Sequence, residues 1–162
     1  MFPLGGGGDR CVYPRSMIER VEAELREARL ARDSEQVGAL TMLLSALKDA
    51  EKANGGTLDD AGAIQVMTRE RKKRVEAAES FREGGREDAA LKEEAELAMI
   101  DAYLPAQLAP EELAELIASA IAEAGATEPK DLGSVMKILQ PKTAGRADGK
   151  AVSTAVREAL GA

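Results

Sequence analysis

From residue 17 onward apolar side chains recur every three or four positions, the spacing of helices that bury one face. No stretch of four to eight residues alternates as a half-buried strand would. Ile18, Val21, Leu25 and Ala28 predict a helix over 17–32. Val37, Leu40, Leu43, Leu44, Leu47 and Ala50 predict a second over 34–53, stopped by Asn54-Gly55-Gly56. Thr57 followed by Asp60 resembles a capping box, with Asp in place of the usual Glu or Gln. It opens a long third helix, 58–83, carrying Ile64, Met67, Arg71, Val75, Ala78 and Phe81 on one face and ending at Gly84-Gly85. A fourth, 86–103, places Leu97, Ile100 and Leu104 together, with Leu91, Ala95 and Ala98 alongside.

Pro105 and Pro110 then bracket Ala106-Gln107-Leu108-Ala109, the best boundary in the chain. Pro110 suits the first turn of a fifth helix, 110–124, where its missing N–H is no loss. A sixth is expected over 130–140 with Pro141 at its end, and Asp148 is a natural N-cap for a seventh over 149–160. The pattern predicts an all-α, multihelical fold of two different α-helical subdomains, 17–104 and 110–162, with about four plus three helices. Residues 1–16 hold four consecutive glycines and no period, and read as a flexible N-terminal tail without a function of its own.

Composition removes several kinds of chemistry. Histidine is absent, so no Ser-His or Cys-His nucleophile and no histidine metal ligand can be built. Cys11 stands alone, which excludes an internal disulfide and a cysteine metal cluster and favours a reducing compartment. Phe2, Tyr13, Phe81 and Tyr103 are too few and too scattered to form base-stacking platforms. No apolar run approaches the roughly 18 residues that cross a bilayer. The expectation is a cytoplasmic protein with no membrane partner, no cofactor, no metal site and no catalytic residue of its own.

The net charge of −7 is unevenly spread. Residues 1–82 balance, residues 83–128 carry 2 basic against 12 acidic side chains, and residues 129–162 carry 6 basic against 3 acidic. An acidic chain repels phosphate overall, so indiscriminate nucleic-acid binding, and DNA binding with it, is not expected. The C-terminal stretch is the one net-positive region.

Three motifs invite a functional reading. Gly145-Arg146-Ala147-Asp148-Gly149-Lys150 looks like a phosphate loop, but it has three residues between its glycines where the motif needs four, and Ala151 follows the lysine. A softer alternative is an anion site at the start of the last helix, flanked by Arg146 and Lys150. The residue types favour a tight turn whose N–H groups Asp148 caps. Arg69-Glu70-Arg71-Lys72-Lys73-Arg74 is a secondary basic patch that could meet phosphates. Six successive helical residues point in all directions, however, and a solvated helix laced with ion pairs is the commoner result. Glu93-Glu94-Ala95-Glu96, with Asp101 beyond, reads as a solvated face or a docking surface for basic groups.

Taken together, Leu43-Leu44-Ser45-Ala46-Leu47-Lys48, the stretch from Phe81-Arg82-Glu83-Gly84-Gly85 to Tyr103-Leu104-Pro105, and Gly133-Ser134-Val135-Met136-Lys137 through Arg146-Ala147-Asp148-Gly149-Lys150 to Arg157 resemble the GatB/YqeY family, in particular its small stand-alone YqeY-like proteins. The resemblance implies kinship with the C-terminal tail of the B subunit of the aspartyl/glutamyl-tRNA amidotransferase, a carbon–nitrogen ligase that uses glutamine as amido donor. That tail engages tRNA while chemistry proceeds elsewhere. It also implies RNA contact through Lys137, Lys142, Arg146 and Lys150, with Arg157 a weaker addition. The expected partner is tRNA or structured RNA, together with aminoacyl-tRNA or amidotransferase machinery in translation. Two alternatives stand beside it: an amidotransferase-associated component, and a protein–protein interaction module docking a basic partner on the acidic helix.

Overall fold

The computed structural model describes residues 16–161. Helix α1, Met17–Ala31, opens with a capping box: the Ser16 hydroxyl accepts from the Glu19 N–H, and the Glu19 carboxylate accepts from the Ser16 N–H. Arg32 takes the left-handed conformation at its end, and Asp33 caps α2, Ser34–Ala53, through the Gln36 N–H. Helix α3, Asp60–Glu83, and helix α4, Glu87–Asp101, form a long hairpin turned by Gly84 and Gly85. After the linker come α5, Pro110–Ala124, a 3-10 turn Pro129–Asp131, α6, Leu132–Thr143, and α7, Gly149–Ala159. The fold is all-helical, and the described residues contain no strand. No described helix is long and apolar enough to cross a membrane. Cys11, Phe2, Tyr13 and most of the glycine-rich stretch lie outside the described residues.

Buried side chains gather in two clusters. The first joins Val21 and Leu25 of α1, Leu40, Leu43 and Leu47 of α2, Met67 of α3, and Ile100, Tyr103 and Leu104. The second joins Ile117 and Ala120 of α5, Val135 and Leu139 of α6, and Val152, Val156 and Leu160. Tyr103 is the one aromatic residue in either cluster; its hydroxyl donates to Glu24, and Arg20 stacks on its ring 5.4 Å from the centroid. Burial, and then the bond to Glu24, hold that phenol above its ordinary pKa.

Three local expectations are corrected. Asp59, not Thr57, caps α3, accepting from the Gly62 N–H at 2.8 Å. Asp60 cannot close the proposed box because its carboxylate accepts from the Met17 N–H at 2.9 Å, fastening the start of α3 to the start of α1. Pro141 does not stop α6, which continues to Thr143; the proline sits in the final turn, where the Thr143 hydroxyl donates to the Leu139 carbonyl and the Ala144 N–H to Gln140. On α4 the expected flank is wrong: Leu91, Ala95 and Ala98 are exposed, and Leu91 keeps 53% of its surface. The helix instead meets α3 along Ala90, Glu93, Leu97 and Ile100, a 3.5-residue seam facing Met67, Arg71, Arg74 and Ala78. Three seam positions are charged, and of these the apolar spacing marks Arg71 but passes over Arg74 and Glu93.

Candidate functional site

The loop between α6 and α7 does not stand free. Gly145 is buried at φ 71°, a left-handed conformation that suits glycine, and a Cβ there would lie 2.6 Å from Ile64 Cγ2 and 3.3 Å from Pro105 Cδ. Its carbonyl accepts from Gln107 Nε2 at 2.7 Å, the Arg146 carbonyl accepts from the Leu108 N–H at 2.8 Å, and Arg146 Nε donates to the Ala106 carbonyl at 3.0 Å. Asp148 accepts from the Ala151 N–H at 3.3 Å and from Lys72 Nζ at 3.1 Å. The loop is therefore a clasp that ties the C-terminal helices to the linker and to α3.

Asp148 occupies the N-terminus of α7 where an anion would have to sit. Burial raises its carboxyl pKa, but Lys72 and the backbone N–H groups outweigh that and hold it below the ordinary range. The loop's residue types signalled the cap. The partners Lys72 and Gln107 carried no such signal, because the contact joins positions that the sequence separates by tens of residues.

The five C-terminal cations fare differently. Arg146 is half-buried with its Nε committed to the linker. Lys142 lies 3.6 Å from Glu123 on α5. Lys137, Lys150 and Arg157 are exposed, and no carboxylate of the described residues lies within salt-bridge distance of them. Lys150 and Arg157 are seven residues apart, about two turns, so they share the outer face of α7 roughly 10 Å apart along its axis. Lys137 projects from α6 opposite the buried Val135 and Leu139.

The secondary basic patch is mostly neutralised. Arg71 pairs with Asp101 at 2.7 Å, Lys72 with Asp148, Lys73 with Glu70 at 2.6 Å, and Arg74 lies 2.8 Å from Glu96 and 3.6 Å from Glu93. The Arg74 Nε–H is not aimed at either carboxylate, so that contact is one of charge rather than a formed hydrogen bond. Arg69 is exposed with no carboxylate partner among the described residues. The acidic run of α4 is used in the same way: Glu93 and Glu96 face Arg74, while Glu94 and Glu87 hold Arg82 at 2.9 and 3.1 Å. Hydrogen bonds donated by Arg82 to Glu87 and then to Glu94 push the guanidinium pKa further up, and Arg82 pulls Glu87 down.

The family model for Yqey-like proteins matches residues 18–160. No curated protein matches the chain. The matched span runs from the second residue of α1 to the Leu160 that closes the second cluster, and on that basis the chain belongs to the family of Yqey-like proteins.

Proposed function

We propose that this protein is a small helical RNA-contact accessory, with tRNA as the expected ligand, that performs no chemistry alone. The observation that carries the reading is the trio Lys137, Lys150 and Arg157, exposed and without a carboxylate partner among the described residues, on the outer faces of α6 and α7 in the net-positive stretch of the chain. Other exposed cations exist, such as Arg26 and Arg29, but they are interleaved with Glu22, Glu24 and Glu27 on α1. The resemblance to the tail of the amidotransferase B subunit supports the choice of tRNA. The scarcity of aromatic residues favours phosphate contact over base stacking.

The test is a tRNA mobility shift at two salt concentrations with the full chain and its Lys137→Ala/Lys150→Ala/Arg157→Ala variant. Three phosphate contacts on a duplex give a salt slope of about −2.7, and the variant should lose most of it along with affinity. Arg69→Ala should change neither. Equal affinity and slope for the triple variant would reject these residues as the contact.

A further inference from the structure

Helices α5 and α7 leave between them an open groove of about 620 Å³ whose lining side chains are all apolar. Ile117 is buried at its floor, Leu113 and Ile121 are half-buried, and Ala114, Ala118 and Ala159 form exposed walls. On the outer side of this groove stand Glu111 and Glu115 of α5 and Glu158 of α7, all exposed and none within salt-bridge distance of a cation among the described residues. With about 100° of turn per residue, Glu111 lies about 20° beyond Ala118 on α5 and Glu158 about 60° from Ala155 on the side of α7 away from Val156, so the carboxylates flank the apolar strip rather than lie behind it. Lys150 and Arg157 occupy the other flank of α7.

The chemistry of the strip selects its occupant. A small ligand would need convergent polar groups to orient it, and no lining side chain supplies one. A second copy related by a two-fold axis would bring the same three carboxylates face to face, a like-charge contact that opposes closure. An anionic lipid surface is repelled by the same rim. A helix has its backbone satisfied internally, needs only apolar anchors at i, i+4 and i+7, and finds alanine walls that allow close approach. We propose that the α5–α7 groove is the docking site for a basic amphipathic helix of a protein partner, its apolar stripe on Leu113, Ile117 and Ile121 and its lysines or arginines on Glu111, Glu115 and Glu158.

The probe is a fluorescent 18-residue leucine/lysine peptide with a helical apolar stripe, titrated with the full chain beside a scrambled peptide of the same composition. The striped peptide should bind at least tenfold tighter than the scrambled one. Ala118→Asp adds a negative charge while obstructing the groove, so it should weaken the striped peptide at least tenfold, where a purely electrostatic surface would bind more tightly. Ala114→Asp should do the same, and both positions are exposed, so the helical circular dichroism should persist. Glu111→Gln/Glu115→Gln/Glu158→Gln should weaken binding and flatten its salt dependence. Equal binding of the scrambled peptide, no binding of the striped one, undiminished binding by both aspartate variants, or a self-association that Ala118→Asp abolishes would each overturn the assignment. tRNA binding should be the same in Ala118→Asp as in the parent, which keeps this surface distinct from the cationic one.

Discussion

Replacing Gly145 with alanine tests the clasp directly. The left-handed conformation at φ 71° costs a residue with a Cβ about 1–2 kcal/mol. The new methyl group would also lie 2.6 Å from Ile64 Cγ2. That atom belongs to a β-branched side chain on a helix, where one χ1 rotamer dominates, so it cannot swing aside as the tip of a lysine would. Overpacking of this kind costs about 1–3 kcal/mol. The two effects sum to about 2–5 kcal/mol, or a fall of roughly 5–15 °C in Tm for a chain of this size. Urea unfolding followed by helical circular dichroism should show a lower midpoint at unchanged slope. In an Ile64→Ala background the 2.6 Å clash disappears, leaving the backbone strain and the tighter but tolerable 3.3 Å approach to Pro105 Cδ, so the same glycine substitution should cost less there, about 1–2 kcal/mol. Gly38 is the control: it lies inside α2 with nothing within 4 Å of a Cβ, and alanine there should stabilise by about 0.5–1 kcal/mol. If Gly145→Ala leaves the midpoint unmoved, the buried loop is not in the conformation described and the reasoning fails.

Two further outcomes follow from the charged groups. Arg74→Met leaves Glu93 and Glu96 facing each other at side-chain exposures of 21% and 25%, and thermal unfolding near neutral pH should register a loss of about 1–3 kcal/mol. Adding Glu93→Gln/Glu96→Gln should recover most of it, since the deficit comes from unpaired carboxylates and not from lost volume. Asp148 has a folded-state pKa below its unfolded value, so its contribution is complete above about pH 4 and is lost as pH falls through the folded value. Asp148→Asn should therefore lower Tm at pH 6, with the gap to the parent narrowing toward pH 3; a gap independent of pH would mean that the carboxylate's charge does not matter to the fold.

Helix existence was legible because it depends on local spacing. The fifth helix was readable to the residue, with Pro110 at its first position and Gly125 beyond its last. What escaped depends on distant partners. The start of α3 moved because Met17 recruits Asp60. The stripe of Leu97, Ile100 and Leu104 faces inward as the spacing predicts, but Glu93 of α4, which reads as solvated, is drawn into the seam by Arg74 on another helix, and Leu91 turns outward. The Gly145 loop suggested an anion site or a capped turn from its composition. Its burial against Ile64 and its bonds to the linker depend on residues far away in the chain, and local spacing does not encode them.

The distribution of charge bears on how such a protein could work. Three phosphate contacts would make affinity fall about 40-fold between 50 and 200 mM salt, and the net charge of −7 opposes binding further. Free in solution, the exposed cations of α6 and α7 would therefore hold RNA weakly. Helix α7 carries Lys150 and Arg157 on one flank and the apolar, acid-rimmed groove on the other, with the clasp at its N-terminus fixing both relative to α3. A partner docked in the groove would raise the local concentration of any RNA it also holds, turning a weak contact into a usable one without new contacts to the nucleic acid. On this view the acidic body is compatible with RNA contact because the protein is not asked to bind RNA alone. Adding the striped basic peptide to the mobility shift should compete with nothing on the cationic flank, and covalently coupling that peptide to the tRNA should tighten binding by at least tenfold. Equal affinities for coupled and uncoupled tRNA would show that the two flanks of α7 do not cooperate.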